Sequence, residues 1–126
     1  MEKQIINTSG APAPIGPYNQ AVRAGDFLFV SGQIPIDPAT GELVETGIQD
    51  ETERVMKNLA AILKEAGMNF SNVVKSSIFL TDMKQFAQVN EVYAKYFTEN
   101  EPARETVQVA ALPKFVNVEI SVIAAK

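Results

Sequence analysis

The sequence has neither histidine nor cysteine among its 126 residues. Without these side chains, a Ser-His-Asp triad, a Cys-His pair and an ordinary zinc site are all excluded. The carboxylates show no Asp-x-Asp spacing and no EF-hand loop, so nothing in their pattern indicates a Mg²⁺ or Ca²⁺ site. If the protein is an enzyme, its acid-base chemistry must come from Glu, Asp, Tyr, Lys, the backbone or water.

The sequence also lacks a basic cluster and a long apolar segment. Eleven Lys and Arg against fifteen Asp and Glu give a net charge of −4, which argues against non-specific nucleic-acid binding. No stretch approaches the roughly 18 to 20 apolar residues of a membrane span, and residues 1–7 lack the apolar core of a secretory signal. We therefore expect a cytoplasmic protein with no membrane partner, and the absence of cysteine fits a reducing compartment.

The apolar content is 46% over 126 residues, which is enough for one compact domain spanning residues 1–126. The local patterns predict elements in the order strand, hairpin, helix, strand, helix, strand, strand. That order favours an α+β fold in which two helices cover one face of a mostly antiparallel sheet.

Short motifs predict where these elements begin and end. Gly25-Asp26 between two apolar segments predicts a type II′ hairpin. Thr46, with Gln49 three residues later, predicts a capping box at the start of the first helix, and Gly67 is expected just past its end. Asp82 is expected to cap the second helix in the same way.

The predicted sheet is apolar on both faces, most clearly at residues 27–30 and 116–123. Two helices can cover only one of these faces, and an apolar face in water needs a second cover. We therefore expect a homo-oligomer in which sheet faces pack against each other.

Two charged residues stand in strands that are otherwise apolar, Arg104 in one and Glu119 in the next. A charge taken out of water costs several kcal/mol unless it is paired or bound. If the two strands are neighbours, the residues could form a structural salt bridge. Alternatively, the guanidinium fork of Arg104 could face a substrate carboxylate while Glu119 positions or deprotonates a water. The sequence leaves both interpretations open.

Three more residues admit a structural and a functional interpretation. Tyr18 closes a Pro- and Gly-rich loop, where it either caps the core or holds its hydroxyl over a pocket. Gly32 marks either a bulge or the close approach of a ligand. Asn90 lies on the apolar stripe of the second helix, so it must hydrogen-bond to nearby backbone or to a residue of a site.

Five segments, taken in chain order, form a recognisable set. They are Ala13-Pro14-Ile15-Gly16-Pro17-Tyr18, Ser31-Gly32-Gln33-Ile34-Pro35, Asn90-Glu91-Val92-Tyr93, Pro102-Ala103-Arg104 and Leu112-Pro113 followed by Val118-Glu119-Ile120. Together they resemble the Rid (YjgF) family, also described as reactive-intermediate deaminases or endoribonuclease L-PSP proteins. The resemblance implies a chorismate-mutase-like α+β protomer, assembled as a homotrimer around a central barrel of packed sheets, with ligand sites between subunits. It also implies hydrolysis of 2-enamino and 2-imino acids, such as 2-aminoacrylate and 2-iminobutyrate, to 2-keto acids and ammonia without metal or cofactor.

The same resemblance implies roles for individual residues. Arg104 falls on the arginine that grips the substrate carboxylate, and Glu119 falls on the glutamate that orients the attacking water. With Tyr18 they are the catalytic candidates. The substrate-binding candidates are Ser31, Gly32, Asn90, Arg104 and Thr106, where Thr106 stands in a position that is often Cys in deaminase members of the family.

One residue departs from the family pattern. Glu105 follows the arginine, where a small residue is usual, and strand alternation points it away from Arg104. Two other functions are considered besides deamination. One is a non-catalytic trimer that binds carboxylate metabolites, and the other is RNA cleavage or translation inhibition, against which the acidic composition argues.

Overall fold

The computed structural model describes residues 2–126 and combines strands and helices in two layers. Its strands are, in chain order, β1 (Lys3–Ile6), β2 (Ala21–Ala24), β3 (Phe27–Gln33), β4 (Val73–Leu80), β5 (Ala103–Gln108) and β6 (Val118–Ala125). Its α-helices are α1 (Ile48–Glu65) and α2 (Phe86–Ala94). Single 3₁₀ turns lie at Phe70–Asn72, Met83–Gln85 and Pro113–Phe115.

The strands form one sheet in the order β1-β2-β3-β6-β4-β5. Neighbouring strands are antiparallel, except that β4 and β5 are parallel. Both helices pack on one face of the sheet. The predicted α+β fold, with two helices on one face of a mostly antiparallel sheet, is confirmed.

The hairpin that joins β2 to β3 has the predicted geometry. Ala24 pairs with Phe27 across the turn, so Gly25 and Asp26 form a two-residue loop. Gly25 has a φ of 61°, which its missing side chain permits and which the first position of a type II′ turn requires.

The predicted capping box at the start of α1 is wrong. The helix begins at Ile48, and the residue before it is Gly47, with a φ of 125° and no side-chain cap from the described residues. Thr46 instead donates its hydroxyl hydrogen bond to Oδ2 of Asp50 at 2.8 Å. Because the hydroxyl lies one residue too early, it pairs with a first-turn carboxylate rather than with a free backbone N–H.

The end of α1 was predicted correctly. Gly67 follows the helix with a φ of 74°, a left-handed conformation that glycine adopts at little cost. The N–H of Met68 then reaches the carbonyl of Leu63 at 2.8 Å, which is the hydrogen bond of a Schellman motif.

The second helix starts later than the predicted Asp82 cap indicated, and it ends before the last residues of its apolar stripe. Asp82 accepts a hydrogen bond from the N–H of Lys84 at 2.9 Å, so it caps the 3₁₀ turn at Met83–Gln85 and not α2 itself. The helix ends at Ala94, although Phe97 beyond it is still buried against the core. Side-chain packing thus continues past the last helical hydrogen bond.

The core lies between the helices and one face of the sheet. Along β6 buried and half-buried residues alternate without interruption, as expected for a strand with one covered face. Val55, Leu59 and Ile62 of α1 are fully buried in the same cluster as Leu28 and Ile120 of the sheet. Burying each such side chain contributes about 1.5–3 kcal/mol, so this cluster fixes which sheet face the helices cover.

The opposite sheet face is open in the single chain. Phe27 and Phe29 of β3 are each 47% exposed and Val107 of β5 is 40% exposed, whereas Leu28 and Val30, on the other face of β3, are buried. This is the apolar face for which a second cover was expected. No helix in the described residues has both the length and the apolar character needed to cross a membrane.

Candidate functional site

Four of the predicted site residues surround one groove on the open side of the sheet. Tyr18, Ser31, Gly32 and Glu119 line a groove of about 510 Å³. The other residues of its wall are Ile15, Ile34, Pro113 and Lys114. Apolar walls with a few convergent polar groups are typical of small-molecule sites.

Gly32 and Glu119 lie in direct contact. The pairing of β3 with β6 shifts register between Val30 and Gln33, so Gly32 sits in a β-bulge. A Cβ atom added to Gly32 would lie 1.9 Å from Oε2 of Glu119. The glycine therefore leaves the space that the carboxylate occupies. The bulge predicted for Gly32 is present, and the close approach of a ligand stays a prediction.

The Glu119 carboxyl is half-buried, and burial raises its pKa above the ordinary glutamate value. Neither of its oxygens has an ion-pair partner in the described part of the chain. A carboxyl with a raised pKa and no ion-pair partner is a stronger base than an ordinary glutamate and is available for proton transfer.

Loop hydrogen bonds hold the other polar groups of this groove. The hydroxyl of Tyr18 accepts a hydrogen bond from the N–H of Ile15 at 3.2 Å, which leaves its own proton free to donate. The hydroxyl of Ser31 donates to the carbonyl of Asn19 at 2.6 Å. Tyr18 is 48% exposed, so it lies over the groove and does not cap the core.

A second groove, of about 620 Å³, contains Arg104 and Asn90. Nη1 of Arg104 donates to Oδ1 of Asn90 at 2.8 Å. The functional interpretation of Asn90, as the partner of a site residue, is thus the one that the geometry supports. The guanidinium carbon lies 5.4 Å from the ring centre of Phe86 and 5.1 Å from that of Tyr93.

Arg104 makes no ion pair with a carboxylate of residues 2–126. Four of its five N–H donors therefore stay free of protein side chains, because only Nη1 donates, and to Asn90. A guanidinium presents these donors as a planar fork that matches a carboxylate.

Thr106 lies on the same face of β5 as Arg104. Its partner on β4 is Ile78, which is fully buried against the helices. The hydroxyl oxygen of Thr106 is itself buried and has no hydrogen-bond partner within residues 2–126. An unpaired buried hydroxyl is uncommon, so this one is available to a group that enters from outside the chain.

Arg104 and Glu119 do not lie on neighbouring strands, because β4 runs between β5 and β6, so the condition for a structural salt bridge is not met. Ser76 of β4 is the partner of Arg104, whereas Phe79 is the partner of Glu119. Positions three apart on a strand face opposite sides of the sheet. Arg104 thus points to the helix side and Glu119 to the open side, and no salt bridge joins them.

Glu105 points away from Arg104, as strand alternation predicted. Its carboxylate accepts a hydrogen bond from the hydroxyl of Ser77 and lies 3.0 Å from Nζ of Lys75. These partners, Ser77 foremost, lower the pKa of Glu105. The residue that departs from the family pattern therefore binds Ser77 and Lys75 on the open sheet face, away from the Arg104 groove.

Sequence reasoning did not single out Phe86 and Tyr93, which contact Arg104, or Lys114, which lines the first groove. Phe86 and Tyr93 could have been found, because they flank Asn90 at helical spacings of four and three residues. Lys114 could not have been found in this way. Its backbone has a φ of 56°, and no local sequence pattern predicts that conformation for a lysine. In the described residues, no three side chains that bind metals lie close enough together to hold an ion.

Comparisons with known proteins agree on one family. The family model described as Endoribonuclease L-PSP matches residues 8–126. A RutC family protein of Pyrococcus horikoshii is 54% identical over 124 residues, which cover 98% of both chains. The 2-iminobutanoate/2-iminopropanoate deaminase of Homo sapiens is 47% identical over 97% of this chain and 89% of that protein.

A solved structure gives the same relation in three dimensions. The crystal structure of TdcF from E. coli with bound serine superimposes with a TM-score of 0.94 at 43% sequence identity. The match covers 98% of each chain. The likeness thus extends over both grooves and over every strand of the sheet.

Proposed function

Because this chain belongs to the Rid (YjgF) family of endoribonuclease L-PSP proteins, we propose that it hydrolyses 2-enamino and 2-imino acids to 2-keto acids and ammonia. Relatives that carry the name 2-iminobutanoate/2-iminopropanoate deaminase support this activity. The proposed substrates are small, such as 2-aminoacrylate and 2-iminobutyrate.

The observation that carries the proposal is the uncompensated guanidinium of Arg104. An amide and two aromatic rings hold it, and no carboxylate of the described chain neutralises it. We assign Arg104 to the carboxylate that every 2-imino acid bears. Two parallel N–H···O bonds would fix the substrate in one orientation.

Glu119 is assigned to the water. An enamine protonates at carbon to give an iminium, and water adds to its C=N bond. The Glu119 carboxylate accepts a proton of this water as the C–O bond forms, and it returns that proton to the nitrogen of the resulting carbinolamine. The C–N bond then breaks, ammonia leaves, and the carbinol hydroxyl gives its proton to the carboxylate or to water as the 2-keto acid forms. Burial raises the pKa of Glu119 above the ordinary glutamate value, which makes its carboxylate a better proton acceptor.

The remaining candidates help to hold the substrate. Tyr18, Ser31 and Gly32 line the groove that contains Glu119, and the Tyr18 hydroxyl, which accepts from the N–H of Ile15, can donate its own proton to a substrate there. Thr106 offers its unpaired hydroxyl beside Arg104. Since an iminium is already electrophilic, positioning the carboxylate and one water supplies most of what the reaction needs.

A complete site requires two copies of the chain. Arg104 and Glu119 lie on opposite faces of the sheet, so one molecule cannot bring both to the same small substrate. We propose a homotrimer in which the Arg104 groove of one protomer meets the Glu119 groove of its neighbour. The exposed Phe27 and Phe29 on the open sheet face provide apolar surface for such an assembly.

The direct test generates 2-aminoacrylate in situ and follows pyruvate release with and without the purified protein. We expect release to accelerate in proportion to protein concentration. Binding of pyruvate or 2-ketobutyrate without acceleration would support a carboxylate-binding protein that is not an enzyme, and would contradict the proposed reaction.

A substitution at Gly32 tests the water-positioning role of Glu119. In Gly32→Ala the new Cβ would overlap Oε2 of Glu119, and the flexible carboxylate moves more easily than the strand. A displacement of about 1 Å in a catalytic group can lower a rate roughly 100-fold. We therefore expect a large loss of kcat with little change in Tm.

Gly25→Ala is the matched control for this change, since Gly25 has open space around its Cα and lies away from both grooves. It should lower Tm slightly, because of its positive φ, and leave kcat unchanged. A wild-type kcat in Gly32→Ala would contradict the proposal that Glu119 positions the attacking water.

A further inference from the structure

The guanidinium of Arg104 is held mainly by aromatic rings. Its carbon lies 5.4 Å from the ring centre of Phe86 and 5.1 Å from that of Tyr93, both within the range of a cation–π interaction. Phe86, Asn90 and Tyr93 follow each other on α2 at spacings of four and three residues, so one face of the helix provides all three contacts.

A hydrogen bond to the sheet fixes the ring of Tyr93. Its hydroxyl donates a hydrogen bond to the hydroxyl of Ser76 at 2.9 Å, and Ser76 is the partner of Arg104 in the pairing of β4 with β5. Both Ser76 and Tyr93 are buried. Burial also raises the pKa of the Tyr93 phenol, so the hydroxyl remains a neutral donor at neutral pH.

We infer that Phe86 and Tyr93, hereafter the aromatic clamp, are positioning residues that orient Arg104 for a substrate carboxylate, with Ser76 holding the ring of Tyr93 in place. The inference rests on the proposed function only in that the ligand of Arg104 is a carboxylate.

The aromatic clamp orients Arg104 without changing its charge or occupying its N–H donors. An acidic side chain would also orient an arginine, but it would neutralise the guanidinium and occupy the N–H donors that the substrate needs. Glu101 lines the same groove and yet makes no ion pair with Arg104. Aromatic faces attract the cation while its edge donors stay open, so they fix the side chain without competing with the ligand.

The test measures the Kd of 2-ketobutyrate, by calorimetry or by NMR titration at millimolar ligand, for Phe86→Leu and Tyr93→Leu. Each loses one ring face, and the Kd is expected to rise about 3- to 30-fold, the range of one cation–π interaction. Where hydrolysis is also measured, KM should rise more than kcat falls. Tyr93→Phe keeps the ring and should recover most of the affinity.

Phe70→Leu is the matched control. Phe70 is half-buried like Phe86, but its ring packs against Tyr96 and Phe97 and does not contact Arg104. It should change Tm as much as Phe86→Leu does and leave the Kd unchanged. If Tyr93→Leu does not fold, Phe86→Leu still decides the question, because Phe86 is half-buried and Tyr93 is buried.

A double-mutant cycle separates positioning from a structural role. In an Arg104→Ala background, Phe86→Leu should weaken binding no further, because the clamp acts through Arg104. An additive loss, an unchanged Kd in both clamp variants, or an equal loss in Phe70→Leu would each overturn the inference.

Failure of the clamp and failure of the proposed function give different results. If the wild-type protein binds 2-ketobutyrate but does not hydrolyse imines, the proposed reaction is lost and the Kd series still decides the clamp. If hydrolysis is found and the Kd values stay constant, the clamp alone fails. If the wild-type protein does not bind 2-ketobutyrate at all, both are overturned.

Discussion

Replacing Arg104 with alanine is expected to lower 2-keto acid release from 2-aminoacrylate by roughly 100-fold or more. A hydrogen bond to a charged group contributes about 1.5–3 kcal/mol, the proposed fork makes two of them, and about 1.4 kcal/mol changes a rate tenfold. The loss should appear in kcat/KM and in the Kd of pyruvate or 2-ketobutyrate. Both quantities are measured on the same preparation.

Arg104→Lys separates the charge from the fork. Lysine keeps the positive charge but cannot donate two parallel bonds, so its activity should lie between those of the wild type and Arg104→Ala. Because Arg104 is exposed and has no ion-pair partner in residues 2–126, neither change should lower Tm by more than a few degrees. An unchanged rate in folded Arg104→Ala would remove the assigned role.

The fold could be predicted because its signals are local. Alternating burial along β6 and the helical spacing of Val55, Leu59 and Ile62 follow from periods of 2 and 3.6 residues. The type II′ turn at Gly25 and the end of α1 at Gly67 each depend on a few adjacent residues. The start of α1 was missed because Thr46 donates to a side chain, Asp50. Sequence spacing alone does not decide whether a threonine hydroxyl donates to a carboxylate or accepts from a backbone N–H.

Strand order could not be predicted in the same way. Arg104 and Glu119 are close in sequence, which favoured neighbouring strands, but β4 comes from an earlier part of the chain and separates them. The position of β4 depends on contacts between segments that are distant in sequence, and local sequence patterns do not predict such contacts. The position of β4 matters most for the candidate site, because it places Arg104 and Glu119 on opposite sides of the sheet.

The site residues themselves were predicted from a combination of chemistry and family resemblance. A charge in a predicted strand demands an explanation, and this signal marks Arg104 and Glu119, although in the single chain Arg104 is exposed and only Glu119 is half-buried. Tyr18 is a candidate from its Pro- and Gly-rich loop, whereas Ser31 and Thr106 come from the resemblance alone. Helical spacing places Phe86 and Tyr93 beside Asn90, but not their contact with Arg104, because an aromatic ring that packs and one that also holds a cation have the same sequence pattern.

Activity is expected to return when two inactive variants share a trimer. Arg104→Ala lacks the carboxylate-binding group and Glu119→Gln lacks the proton acceptor, so each alone should lose most of its activity. If every site takes Arg104 from one protomer and Glu119 from its neighbour, mixed trimers contain some sites with both residues. Random assembly of equal amounts gives an intact site in about one quarter of cases, since each of two protomers must be the right one.

The measurement uses the two variants coexpressed with different tags and purified through both, followed by the pyruvate assay. The doubly substituted chain, Arg104→Ala with Glu119→Gln, is the control, because its mixture with either single variant has no intact site in any arrangement. Purification through both tags removes the uniform trimers, and each mixed trimer then has one intact site of its three. Activity of about one third of wild type in the mixed trimers, and none in the controls, would place the two charges on different protomers. If each chain instead formed its own site, every chain in the mixture would lack one group, and coexpression would restore nothing.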